Sequence, residues 1–227
     1  MPIKTLLITP PFTQLNTPYP ASQYLLGFLQ EKGYDCDQCD LSIELFNKVF
    51  TRKVISQLFL QAEELTSLDY ELVWDQRQRY IDKVDIVIAY LRKQEEMTAE
   101  HILNPSFLPK AHRAKKHGEG FDKLDLIDKA KHIGTLFIEE LGDFITANCD
   151  EFFAFTRYAE RIATSASSFD EIDEFLGYET SIIEDELTYL LADKLEEIKP
   201  DIVGFSIPRH GSKGDFDICI FSACSGF

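Results

Sequence analysis

Two short loops contain the residues best suited by type and position to bind a ligand. Each directly follows a run of apolar residues that predicts a strand. The residues are Thr9, Pro10, Pro11 and Phe12 in the first loop, and Ser206, Ile207 and Pro208 in the second. Their backbone groups and small side chains suit a polar ligand, and open parallel sheets bind ligands beyond the carboxyl ends of their strands. Alternatively, the prolines merely end the strands, since proline donates no hydrogen bond to a sheet.

The cysteines offer little chemistry. Cys36 and Cys39 have the spacing of a redox or zinc half-site, but they lie within a predicted strand and no second pair accompanies them. An incidental pair is the favoured interpretation. The chain's five cysteines are scattered along the sequence, which is typical of reduced thiols and not of a disulfide framework.

A basic segment stands out in an otherwise acidic chain. Its members are Lys110, His112, Arg113, Lys115, Lys116 and His117. The segment is suited to an anion or to a partner's acidic patch, although a solvated loop is the favoured interpretation. The acidic residues Glu139, Glu140 and Asp143 resemble a carboxylate metal site, but the Glu-x-x-His pattern of a di-iron bundle is missing. We therefore expect them to lie on a solvated helix face.

Composition excludes several classes of function. The 227 residues carry a formal charge of −16, which disfavours binding to nucleic-acid phosphates or to an anionic membrane. No apolar run is long enough to span a bilayer, and no signal peptide is recognisable, so we expect a cytoplasmic protein. The sequence has no GxGxxG or GxxxxGK motif for nucleotide phosphates and no GxSxG motif of a serine hydrolase.

The two ends of the chain predict an α/β domain. The apolar run 3–9, a helix ending at Gly33 and a strand over 34–41 form a β-α-β unit, and 201–207 predict a further parallel strand. In the first helix, Tyr24, Leu25, Phe28 and Leu29 lie on one helical face. Ser181 and Glu184 form the capping box of the helix that precedes the last strand. The fold class is therefore α/β: a Rossmann-like partial parallel sheet with a large all-helical insertion.

The middle of the chain predicts helices. Residues 42–65 and 121–147 have apolar residues at helical spacing, whereas the alternation at 84–90 fits either a helix or a strand. We assign 1–41 and 196–208 to the split α/β domain and 42–195 to the helical insertion.

The last residues, 209–227, do not fit a doubly wound sheet. Only seven residues, 209–215, separate Pro208 from the apolar run that begins at Phe216, too few for a parallel crossover. We expect an atypical tail, frame-shifted or disordered, at the end of a longer protein cut after about Pro208.

Three segments resemble a known family. The strings KTLLITPPF (4–12), YPASQYLLGFLQEKGYD (19–35) and KPDIVGFSIP (199–208) are similar to the N-terminal cobalamin-binding domain of B12-dependent radical SAM proteins. The resemblance covers about a quarter of the chain. It implies a flavodoxin-like domain with cobalamin against the carboxyl ends of the strands, at the two loops described above.

The resemblance also implies limits. The chain lacks the Asp-x-His-x-x-Gly motif of a cobalt-ligating histidine and the Cys-x-x-x-Cys-x-x-Cys motif of a SAM-binding [4Fe–4S] cluster. SAM and the cluster are therefore expected only in a full-length relative, whose C-terminal radical SAM domain would be the partner of this region. The sequence predicts a cobalamin-binding fragment without catalytic activity of its own. The alternative is a non-enzymatic helical interaction module on an α/β scaffold.

Overall fold

The computed structural model describes residues 3–12, 15, 20–63, 65, 69–110, 112–113, 120–156, 168, 170, 173, 177, 180–208 and 216–222. At 207–208 and 216–222 it describes the backbone. The chain divides into two compact units. The sheet unit comprises Met1–Phe46 and Ala154–Phe227, and the helical unit comprises Asn47–Phe153.

The sheet unit contains a four-stranded sheet. Its strands are β1 (Lys4–Thr9), β2 (Asp35–Asp40), β3 (Ile202–Pro208) and β4 (Phe216–Ser222), in the spatial order β2-β1-β3-β4. β1 is parallel to both β2 and β3, and β4 is antiparallel to β3. The prediction of an α/β fold with a partial parallel sheet is confirmed at this level.

Strand β4 differs from what the sequence predicts for the tail. Residues 216–222 pair with β3 over its whole length, from Ile202 opposite Ser222 to Pro208 opposite Phe216. The short connection rules out a parallel crossover but not an antiparallel neighbour, which needs only a turn or short loop. The rest of the tail, 209–215 and 223–227, lies outside the described residues.

Helix α1 (Ala21–Glu31) connects β1 to β2. It ends as predicted at Gly33, which has φ 83°, while the amide of Tyr34 donates to the carbonyl of Leu29. The apolar face of this helix is only partly covered, because Tyr24 is 77% exposed and Phe28 is 56% exposed. Ser22 is the buried residue of this helix, so α1 lies on the sheet with a different face.

The last helix of the sheet unit, which we call α8 (Ile182–Ile198), begins with the predicted capping box of Ser181 and Glu184. It contributes its apolar stripe to the core on one face of the sheet. That core comprises Leu6, Ile8, Cys39, Leu41 and Val203, with Leu187, Leu191, Leu195, Ile198 and Phe205 packed against it. The predicted boundaries place α8 in the insertion, whereas the compact units place it with the sheet.

The other helices lie between β2 and α8 in the chain. They are α2 (Leu41–Val49), α3 (Arg52–Glu63), α4 (Glu71–Asp75), α5 (Arg77–Lys93), α6 (Glu96–Leu103) and α7 (Leu126–Asn148), with a 3-10 turn at Phe121–Lys123. Within 47–153 the described residues contain no strand, and 84–90 belong to α5. The helical prediction for this part is confirmed.

Helices α5 and α7 pack closely. The ring of Tyr80 on α5 stacks on that of Phe137 on α7, with centroids 5.0 Å apart. Gly134 on α7 permits the approach, because a Cβ atom there would lie 3.3 Å from Leu91 and 3.4 Å from Val87.

Of the helices in the described residues, none is long and apolar enough to cross a membrane.

Candidate functional site

The carboxyl ends of the three parallel strands present a row of polar side chains. The register of β1 with β2 sets Thr9 opposite Asp40. Ile8 lies opposite Phe205 in the β1–β3 pair, and continuing that register by one residue sets Thr9 opposite Ser206. Since side chains alternate between the faces of a sheet, Asp40, Thr9 and Ser206 share one face. We call these three residues the polar row.

Helix α1 covers this face at its first turn. The hydroxyls of Thr9 and Ser22 lie 3.2 Å apart in the protein interior, and either one can be the donor. Pro20 precedes the helix and gives it no side-chain cap. The positive end of the α1 dipole therefore begins beside the polar row, a position that favours a negative or electron-rich ligand group.

The loop after β1 is held by hydrogen bonds to the segment after β2. Ser42 is buried, and its hydroxyl donates to the carbonyl of Pro10 at 2.6 Å. The carboxylate of Asp40 accepts from the amides of Ser42 (2.9 Å) and Ile43 (3.2 Å), which caps the start of α2. These bonds fix the path of the chain at the edge where the polar row lies.

Ser206 differs from the other hydroxyls of this cluster. It is only 3% exposed, and among the described residues its Oγ has no hydrogen-bond partner. A buried polar group without a partner costs about 1–3 kcal/mol of folding free energy, so such groups are rare unless a ligand or water completes them.

The seven predicted site residues are placed as follows. Thr9 and Phe12 are buried, while Pro10 and Pro11 are half-buried. Phe12 adopts a left-handed backbone with φ 48°, a conformation that is strained for a bulky residue. Ser206, Ile207 and Pro208 are the last residues of β3 and not a loop beyond it, because pairing with β4 extends the strand.

Sequence reasoning missed three residues of this edge. Ser22, Asp40 and Ser42 make its hydrogen bonds, yet none was a candidate. The segment Asp40-Leu41-Ser42 could have revealed part of it, since an Asp followed by a helix is a common N-cap. The contact of Ser22 with Thr9 depends on how α1 packs, which the sequence pattern does not predict.

No protein-family model, curated protein or solved structure matches this chain. The resemblance of its ends to cobalamin-binding domains therefore stays a prediction. Among the described residues, no group of three or more His, Cys, Asp or Glu side chains is placed to hold a metal ion.

The cysteine pair lies on β2, as the sequence predicts. Both side chains are buried, and residues three apart on a strand point to opposite faces. Burial, the largest cause, and the charge of Glu44 raise the pKa of Cys39 to about 12. Burial also raises the pKa of Cys36. Neither thiol has the lowered pKa of a reactive cysteine.

In the helical unit, the basic segment and the acidic residues meet. The Arg113 guanidinium binds Asp143 through two hydrogen bonds and Glu139 through one. Glu140 is buried and accepts from the Tyr80 hydroxyl and the Arg113 amide. The prediction of a solvated loop is therefore wrong for Arg113, whose side chain and amide both bind to carboxylates of α7. The prediction of a solvated helix face is wrong for Glu140, which is buried. Lys115, Lys116 and His117 lie outside the described residues.

Proposed function

We propose that the sheet unit binds cobalamin at the carboxyl ends of β1 and β3, as the cobalamin-binding region of a protein of the B12-dependent radical SAM type. The strand order supports the place: β2 lies on one side of β1 and β3 on the other. The connection from β1 to β2 runs towards one edge of the sheet, and the connection from β2 to β3 runs back past β1. Such a switch point leaves a crevice beyond the strands where ligands bind in open α/β sheets.

The observation that carries the proposal is the Ser206 hydroxyl, buried in the polar row without a partner among the described residues. It can donate to or accept from a ligand group that enters beside Thr9. The amide side chains of cobalamin offer both donors and acceptors, and its phosphodiester suits the uncapped start of α1. The residues at this edge therefore fit the polar periphery of the cofactor.

The proposed role is binding. Bound cobalamin supplies a cobalt centre that can carry and transfer an alkyl group. The part of this chain is to hold and orient the cofactor through Thr9, Ser22 and Ser206, with Pro10 and Pro11 as half-buried surface against the corrin. SAM and a [4Fe–4S] cluster belong to the proposal only for a full-length relative, since the sequence lacks Cys-x-x-x-Cys-x-x-Cys.

Equilibrium dialysis against hydroxocobalamin tests the proposal, read by the visible absorbance of the corrin. This readout detects binding even when no protein side chain ligates the cobalt. We expect saturable retention approaching one equivalent per chain. Absence of retention at several hundred micromolar hydroxocobalamin would refute the proposal.

Two variants locate the binding. Ser206→Leu fills the space beside Thr9 and should weaken retention at least about fivefold, since overfilling a packed site costs about 1–3 kcal/mol. Thr188→Val removes a hydroxyl from the exposed side of α8 in the same unit and should leave retention unchanged. Circular dichroism of both variants shows whether the fold is retained. If the two variants bind equally, cobalamin does not occupy the polar row.

The exposed aromatic side chains of α1 favour a second candidate, a non-enzymatic interaction module. Tyr24 and Phe28 lie one turn apart on the surface of this helix, and both are largely exposed. Exposed aromatic side chains are common where proteins bind other proteins. Two results together would support this alternative. The protein would retain no hydroxocobalamin, and Tyr24→Ser would abolish binding of a protein partner that the unaltered chain binds.

A further inference from the structure

A cavity of about 420 Å³ lies in the helical unit and plays no part in the function proposed for the sheet unit. Among the described residues, its lining comprises Asp69, Tyr70, His112, Arg113 and Asp143. These residues come from three separate stretches of the chain: the start of α4, the segment before the 3-10 turn, and α7. A volume of this size lies within the range of small-molecule sites.

One wall is built around a strained tyrosine. Tyr70 has φ 62° and ψ 42°, a left-handed conformation that is unfavourable for a bulky side chain. Asn148 at the end of α7 holds the preceding residue, since it accepts from the Asp69 amide and donates to the Asp69 carbonyl, both at 3.0 Å. Strain of this kind persists where the surrounding structure enforces it, and it is concentrated at binding sites.

The opposite wall is fixed by the buried carboxylate of Glu140. It accepts from the Arg113 amide at 2.8 Å and from the Tyr80 hydroxyl at 2.6 Å. The Arg113 side chain then binds both oxygens of Asp143 and one of Glu139. Both the main chain and the side chain of Arg113 are therefore anchored on α7.

The charges of the described lining residues favour a cation. Arg113 is already neutralised by Asp143 and Glu139, so its charge is not available to an anion. The lining also contains Asp69, whose side chain is exposed. The Tyr70 and His112 rings are nearly perpendicular, with centroids 5.5 Å apart, and aromatic faces attract cations.

We propose that this cavity binds a small organic cation, a primary amine or a guanidinium compound, between the Asp69 carboxylate and the Tyr70 ring. Arg113 and Asn148 act as positioning residues, which fix the two walls without carrying the ligand's charge. The proposal is independent of cobalamin binding by the sheet unit, and either one can fail without the other.

Isothermal titration calorimetry of the full chain tests the proposal, with agmatine as the cationic probe and succinate as the anionic one. The buffer should have low ionic strength, because salt screens exposed charges. We expect saturable binding of agmatine at one site and no saturable binding of succinate. Absence of agmatine binding, or tighter binding of succinate, would overturn the proposal.

Three variants test the place and the chemistry. Asp69→Asn should weaken agmatine binding by up to about fivefold, the upper end of the range for an exposed ion pair. Tyr70→Leu should weaken it about threefold or more through loss of the ring. Asp122→Asn removes the same charge from an exposed position outside the lining and should change the affinity less than Asp69→Asn. Equal weakening by Asp69→Asn and Asp122→Asn would show a non-specific charge effect and contradict the proposal.

Discussion

At the scale of single residues, buried polar groups determine what each unit can do. In the helical unit, Glu140 is 2% exposed and is satisfied by the Tyr80 hydroxyl and the Arg113 amide. In the sheet unit, Ser206 is buried to a similar degree, but its hydroxyl has no partner among the described residues. The first arrangement stabilises the fold, and the second is the observation on which the proposed ligand site rests.

The Tyr80–Glu140 contact predicts a stability change. Tyr80→Phe keeps the stacking on Phe137 but leaves Glu140 without its hydroxyl donor, and a buried group deprived of a partner costs about 1–3 kcal/mol. We expect the free energy of unfolding in urea to fall by that amount. Tyr189→Phe is the matched control, because Tyr189 is largely exposed. If the two variants have equal stability, the contact contributes nothing.

The thiols of Cys39 and Cys149 are expected to react slowly with alkylating reagents in the folded protein. Burial raises the pKa of both Cys39 and Cys149 to about 12, so at pH 8 only about one thiol in ten thousand is a thiolate at each position. Iodoacetamide labelling mapped by peptide mass spectrometry should therefore be much slower at both residues in the native protein than in concentrated urea. Equal labelling rates in the two conditions would contradict this assignment.

The same thiols set a direction for stability with pH. Their pKa is higher in the folded chain than the ordinary value of 9.0. The neutral thiols therefore stabilise the fold fully below pH 9, and this contribution is lost as the pH rises toward 12.

At the scale of elements, two helix glycines occupy opposite environments. Gly27 on α1 is exposed and a Cβ atom there would meet nothing within 4 Å, whereas Gly134 on α7 faces Leu91 and Val87 across the contact with α5. The same residue type thus weakens one helix and permits the packing of two others.

Replacing each glycine by leucine separates these roles. Gly27→Leu should raise the free energy of unfolding by about 0.5–1 kcal/mol, because it removes the entropic cost of glycine in a helix. Gly134→Leu should lower it by about 1–3 kcal/mol or more, because it overfills the α5–α7 contact. Urea unfolding of the two variants measures both effects. Stabilisation by Gly134→Leu would mean that α5 and α7 do not approach closely there.

The helices and strands also show which structural features a sequence pattern can predict. The strands at 4–9 and 202–208, the stop at Gly33 and the capping box at Ser181 were predictable because each depends on nearby residues. The exposure of the Tyr24 ring was not predictable. The spacing of apolar residues indicates which side chains share a face of the helix, but not the angle at which that face meets the sheet. The pairing of β4 with β3 and the contact of Ser22 with Thr9 depend on segments brought together only by folding.

At the scale of the whole molecule, we propose one binding site in each of the two compact units. The sheet unit holds the polar row, and the helical unit holds the Arg113 cluster and its cavity. The place proposed for the first site follows from the topology of open sheets, which the sequence predicted. For the second, the sequence singled out Arg113 and Glu140 separately but not their contact, because the segment that carries Arg113 meets α7 only on folding.

The most direct test of the central claim is amide hydrogen exchange of the full chain with and without saturating hydroxocobalamin. We expect slower exchange at the amides of Thr9 and Phe12, at the first turn of α1 and at the end of β3, with no comparable change in the cavity of the helical unit. Unchanged exchange at these three segments, or protection confined to residues 47–153, would contradict it.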